Sequence, residues 1–108
     1  MAEAGTPRVV ITGIGILSPV GLETDTAWAT LLAGTSGVGP ITNFDPSRID
    51  VQIACEMKGF DPESVVEKRE ARKLDRCSVA AIAAARQAWA MSGAAVDDPE
   101  RVGVIIGS

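Results

Sequence analysis

The chain has 108 residues, 46% of them apolar, and a formal net charge of -4. That length allows at most one hydrophobic core, and the longest unbroken apolar run, residues 79–85, falls far short of the roughly 20 residues a membrane-spanning helix needs, so a soluble protein is expected. The acidic balance argues against a general nucleic-acid binder, while two cysteines in no paired or metal-type spacing and the absence of histidine argue against a disulfide framework, a zinc site or an imidazole base and fit a reduced cytoplasmic compartment.

Residues 1–7 combine Glu3, Gly5 and Pro7 without a basic start or an apolar centre, so they read as a disordered N-terminal extension rather than a secretory signal. The β-branched run Val9-Val10-Ile11-Thr12, closed by Gly13 and Gly15, reads as a short buried strand leading into a loop. Beyond the turn Ser18-Pro19-Val20-Gly21, the apolar residues Trp28, Leu31 and Leu32 recur at helical spacing, with Gly34 placed for a left-handed cap, which predicts a short amphipathic helix. Residues 34–48 are punctuated by glycine and proline and form an ordered, irregular connection.

Weak alternation over residues 51–57 puts Val51, Ile53, Cys55 and Met57 on one side and Gln52, Ala54 and Glu56 on the other, as in a half-exposed strand. From residue 71 to residue 92 nothing breaks a helix. Leu74, Cys77, Ala81, Ala84, Ala88 and Met91 step by three and four towards Gly93, which predicts one long helix whose alanines admit close neighbours. The run Val102-Gly103-Val104-Ile105-Ile106-Gly107 reads as a strand covered on both faces. A covered strand needs helical layers on either side, more than these elements offer, so the domain looks unfinished.

Three features invite a chemical reading. Gly13-Ile14-Gly15 follows a strand pattern, but the third glycine of a dinucleotide fingerprint is replaced by Ser18 and Pro19 stands where a helix should open; close approach of two backbones explains the glycines better. Cys55 and Cys77 lack the histidine that would activate a thiol, and Cys77 lies on the apolar stripe of the long helix, where burial is expected. Residues 67–76 hold five of the chain's ten basic residues. In a continuous helix Arg69, Arg72, Lys73 and Arg76 would share one face and repel each other. Pairs Glu70–Lys73 and Arg72–Asp75 could make this a solvated, salt-bridged helix start; docking of an acidic macromolecule is the sharper alternative.

The motifs Val9-Val10-Ile11-Thr12-Gly13-Ile14-Gly15, Leu17-Ser18-Pro19-Val20-Gly21, Leu31-Leu32-Ala33-Gly34, Phe44-Asp45, Arg69-Glu70-Ala71-Arg72-Lys73-Leu74-Asp75 and Ile105-Ile106-Gly107-Ser108 together resemble the opening of the β-ketoacyl-acyl carrier protein synthases, especially those of type II. The resemblance covers the chain after Pro7. It implies an α/β fold, the N-terminal portion of the first half of a thiolase-like α-β-α-β-α layered architecture, with residues 8–108 an incomplete part of the synthase domain. It also implies a homodimer that needs no organic cofactor or metal, and decarboxylative Claisen condensation with malonyl-acyl carrier protein in fatty-acid elongation.

In that family the positions matching Arg69, Arg72 and Lys73 help bind the acidic acyl carrier protein; the charge pattern adds Arg76 to this candidate docking set. The family's cysteine nucleophile, two histidines and lysine fall beyond residue 108, so no catalytic residue is assigned here and the chain alone is expected to be inert. A polyketide ketosynthase, its non-catalytic chain-length subunit, and a stand-alone carrier-binding module are the alternatives.

Overall fold

The computed structural model describes residues 5–107. Helices are α1 (Thr24–Leu32), α2 (Lys68–Ala71) and α3 (Arg76–Ser92), strands are β1 (Gly39–Pro40) and β2 (Ile53–Ala54), and single 3-10 turns lie at Pro62–Ser64 and Pro99–Arg101. The mixed helix and strand content expected of a partial α/β chain is present, with helix predominant. Residues 1–4 of the expected extension lie outside the described residues; residues 5–7 are exposed and carry no helix or strand.

The centre of the arrangement is α3. The segment containing Gly13 and Gly15 crosses it so closely that a Cβ on Gly13 would sit 1.9 Å from the Ala88 carbonyl oxygen and one on Gly15 1.8 Å from that of Ala84. Only glycine on one side and alanine on the other allow backbones to meet this way. Gln87, between those alanines, fastens the crossing: its Nε2 donates to the Leu22 carbonyl at 2.7 Å, and its Oε1 accepts from the Ile16 N–H at 3.3 Å and the Thr24 hydroxyl at 3.4 Å. The Ser18–Gly21 turn closes through reciprocal backbone hydrogen bonds of 2.9 and 3.1 Å and leads into α1, which ends as predicted with Gly34 at φ 65°.

β1 and β2 form one antiparallel ribbon, with Gly39 opposite Ala54 and Pro40 opposite Ile53. Beyond it, Glu56 turns inward and is buried. Its carboxylate accepts from the Thr42 hydroxyl at 2.7 Å and from the N–H groups of Thr42 and Asn43 at 3.0 Å, which closes the loop between the strands. The strand expected over residues 51–57 forms only at Ile53–Ala54, and from there Ala54 and Glu56 turn inward rather than their apolar neighbours. Val51, Ile53 and Cys55 face outward, because the satisfied carboxylate rather than the aliphatic side chains fixes the register.

Three predicted features do not form. The runs at residues 8–12 and 102–107 are not strands, and Val9, Ile11, Val104 and Ile105 are more than four-fifths exposed; an isolated extended segment leaves its ladder groups unpaired, and no described strand lies alongside either run to complete one. The helix expected over residues 71–92 is broken before Arg76, since Asp75 takes an extended conformation and caps α3 by accepting from the Ser78 N–H at 2.6 Å. Cys77, expected to be buried, is exposed because no described segment covers that part of the first turn of α3.

Buried apolar residues are few among the described residues: Ala27, Val66 and Val79. The radius of gyration is 18.5 Å, against about 13 Å for a compact chain of this size. The apolar surface is thus largely uncovered in the described residues, and the Gly13/Gly15 crossing is a close backbone-to-backbone contact with α3. Gly15→Ala should lower unfolding free energy by about 2–3 kcal/mol through overpacking. Gly103→Ala, at a position where a Cβ meets nothing within 4 Å, should change it by less than about 0.5 kcal/mol. Denaturant titrations of both variants check this, and equal effects would contradict the crossing.

Candidate functional site

The basic segment is a corner rather than a helix face. Glu67 precedes α2 at φ -57° and ψ 145° without a side-chain cap. Helical hydrogen bonding continues past Ala71, with the N–H groups of Lys73 and Leu74 donating to the Glu70 carbonyl at 2.8 and 3.0 Å. The chain then straightens at Asp75 and re-enters helix as α3. Consequently Arg69, Arg72 and Lys73 lie on the α2 side of the break and Arg76 on the α3 side, so the single four-residue face inferred from a continuous helix is not present. The break itself has a local cause: an aspartate at the cap position satisfies N–H groups that an unbroken helix would have bonded internally.

The corner is anchored from below. Val66 is buried, and the Val65 carbonyl accepts a hydrogen bond from the Arg86 guanidinium of α3. The 3-10 turn Pro62–Ser64 packs against both α2 and α3. Lys68 reaches back to Glu63 at 3.6 Å, an ion pair between exposed groups of little energetic weight. Val65, Val66 and Arg86 carry no sequence pattern that marks them as anchors; an arginine inside an alanine-rich helix reads simply as a solvated position.

Above the anchor, Arg69, Arg72 and Lys73 are exposed and make no ion pair or side-chain hydrogen bond within the described residues. The pairs Glu70–Lys73 and Arg72–Asp75 do not form, the second because Asp75 is committed to Ser78. Arg76 differs from the other three. Its Nη2 donates to the Met57 carbonyl at 3.2 Å and its guanidinium carbon lies 5.3 Å from the centre of the Phe60 ring. What the corner offers chemically is clustered positive charge in which Arg69, Arg72 and Lys73 have no ion-pair partner among the described residues, a feature that attracts an acidic surface.

The remaining candidates carry no chemistry here. Gly13 and Gly15 press on α3, so a phosphate could not approach their backbone, and the close-approach reading of the motif holds. Cys55, just after β2, and Cys77, in α3, are both free and exposed, and the chain has no histidine to activate either. Among the described residues no three His, Cys, Asp or Glu side chains converge on a metal position, and no described helix is long and apolar enough to cross a membrane.

A family model described as "Beta-ketoacyl synthase, N-terminal domain" matches residues 6–108. The chain belongs to the β-ketoacyl synthase family. It is 48% identical over 103 residues to a 3-oxoacyl-[acyl-carrier-protein] synthase 2 of Coxiella burnetii, with 94% of this chain and 25% of that protein covered. Proteins of the same name from Vibrio cholerae and Staphylococcus aureus strain N315 are 45% and 43% identical, again over 94% of this chain and 25% of theirs. Among solved structures, one described as the ishigamide ketosynthase/chain length factor superposes with a TM-score of 0.72 at 36% identity, covering 82% of this chain and 22% of its own. The chain therefore spans about a quarter of the length of the curated relatives it matches.

Two carboxylates that hold this chain in shape titrate below their ordinary range. Glu56 is lowered chiefly by the Thr42 hydroxyl, then by the Asn43 and Thr42 N–H groups, and Asp75 chiefly by the Ser78 N–H. A carboxylate whose folded value lies below its unfolded one stabilises the fold above the unfolded value and loses that contribution as pH falls through the folded one. Stability should accordingly decline below about pH 4. Glu56→Gln should flatten that acid limb and lower the melting temperature at neutral pH, measured by thermal unfolding across pH 2–7; an acid limb that keeps its wild-type steepness would rule out Glu56 as a contributor.

Proposed function

We propose that the chain is the N-terminal segment of a β-ketoacyl-acyl carrier protein synthase of fatty-acid elongation, and that its own functional contribution is a docking corner for acyl carrier protein. The observation that carries this reading is the exposed and unpartnered state of Arg69, Arg72 and Lys73 in a chain 42–48% identical to proteins named 3-oxoacyl-acyl-carrier-protein synthase 2. Three cations without internal partners on an otherwise acidic chain are inefficient as structure. They are effective as a complement to an acidic carrier, since rim charges accelerate encounter and set orientation.

In the reaction, an acyl group held as an enzyme thioester is attacked by the carbanion that malonyl-carrier protein forms on losing carbon dioxide. The new carbon–carbon bond forms at the acyl carbonyl, the enzyme thiolate leaves, and the product is a β-ketoacyl-carrier protein. This chain supplies neither nucleophile nor histidine. Its part is to bind the carrier, and residues 8–108 belong to an incomplete synthase domain in a thiolase-type layered fold, within a cytoplasmic homodimer. The exposed runs at residues 8–12 and 102–107 become strands when the rest of such a domain lies beside them, which accounts for their β-branched composition.

A second reading, polyketide ketosynthase or its chain-length subunit, is favoured by the structural likeness to a ketosynthase/chain length factor. The residue at the nucleophile position of the complete protein separates them: cysteine marks a condensing subunit and glutamine the chain-length partner.

Reversing Arg72 and Lys73 to glutamate in the complete synthase should weaken carrier-protein binding about tenfold or more at low salt and reduce its salt dependence. Isothermal titration at several ionic strengths reads both. Unchanged affinity would remove the docking assignment. The 108-residue chain incubated with acyl- and malonyl-carrier protein should release no β-ketoacyl product by mass spectrometry, and product formation would show that the chemistry lies within these residues.

A further inference from the structure

The four basic residues of the corner fall into two kinds. Arg69, Arg72 and Lys73 are free within the described residues, whereas the Arg76 guanidinium is occupied by the Met57 carbonyl at 3.2 Å and the Phe60 ring at 5.3 Å. The Met57 carbonyl also receives the Phe60 N–H at 3.4 Å, so it closes the tight turn whose Gly59 stands at φ 77°, the left-handed value a type II turn takes at that position. Arg76 thus ties this turn to the first residue of α3, directly after the corner. Its charge is poorly placed on its own account, because a cation in the first turn of a helix opposes the helix dipole. The carbonyl oxygen and the electron-rich ring face offset that penalty. An arginine retained in that position for contact with a partner would gain from being free, and this one is not.

We propose that Arg76 is a positioning residue of the docking corner rather than one of its contact cations: it clamps the turn at residues 57–60 to the start of α3 and so fixes the direction in which Arg72 and Lys73 project. This rests on the docking reading above and refines it. The partner's acidic surface meets Arg69, Arg72 and Lys73, while Arg76 acts through the backbone beneath them. A planar guanidinium that donates and stacks at once is not replaced by an ammonium, so charge alone does not substitute for it.

The test is carrier-protein binding by the complete synthase, titrated at several salt concentrations, for Arg76→Lys, Arg76→Gln and Phe60→Leu beside Arg72→Glu. A clamp predicts that all three of the first set weaken binding by a similar small factor, about threefold, with the wild-type salt slope kept. Phe60→Leu matters because it removes the ring face while leaving every charge in place. Full affinity in Arg76→Lys together with a reduced slope in Arg76→Gln would overturn the proposal and make Arg76 a contact cation. Wild-type binding in all three would overturn it as well. Failure of the docking reading itself has a separate signature, an unchanged affinity and slope in Arg72→Glu.

Discussion

The crossing of α3 by the segment that carries Gly13 and Gly15 sets the geometry on which the other elements depend. Two backbones meet there with no side chain between them, and Gln87 uses both ends of its amide to hold the contact at Ile16, Thr24 and Leu22. One helix position thereby fixes both the extended entry segment and the start of α1. The remainder of α3 is left free to support the corner through Arg86 and Val65. With so few buried apolar side chains, directional contacts of this kind define the arrangement more than apolar burial does. An amide that satisfies three groups at one crossing is hard to replace, because removing it orphans polar atoms on two separate segments.

The corner shows how a local cap redistributes charge. A continuous helix would have stacked four cations on one face and offered Glu70 and Asp75 as partners at i+3. Capping by Asp75 withdraws one of those carboxylates, turns the chain, and leaves Arg69, Arg72 and Lys73 exposed ahead of the break. As the N-cap of α3, Asp75 directs its carboxylate to the positive end of that helix's dipole, so less of its negative charge offsets the cluster. A single residue choice therefore serves both the turn and the field.

Much of this was legible in the sequence and the rest was hidden for identifiable reasons. The glycine caps after α1 and α3, the Ser18–Gly21 turn and the close-approach role of Gly13 and Gly15 follow from residues whose conformational demands are local, and the structure has all of them. The break at Asp75 was also local, an aspartate three residues before a serine at the head of an apolar stripe, but the continuous stripe from Leu74 to Met91 masked it. The inward Glu56 was not legible, because its partners Thr42 and Asn43 are far away in sequence and periodicity carries no information about a carboxylate that finds donors across a loop. Residues 8–12 and 102–107 show the reverse failure: β-branched composition states what a segment will do beside a neighbouring strand, and cannot state that the neighbour is among these residues.

That last distinction separates the two surfaces of the chain. Apolar runs such as Val9-Val10-Ile11 and Val104-Ile105-Ile106 gain only by being covered, since exposed aliphatic surface costs free energy in proportion to its area and unpaired extended backbone invites another edge. The basic corner is favourable as it stands in water, since desolvating a cation without a partner is costly. Because the two kinds of feature lie on different stretches of the chain, the apolar runs can be covered without burying Arg69, Arg72 or Lys73. The Asp75 turn adds to this separation: by breaking the helix between α2 and α3, it sets the cations of residues 69–73 apart from the alanine-rich helix, and they remain exposed.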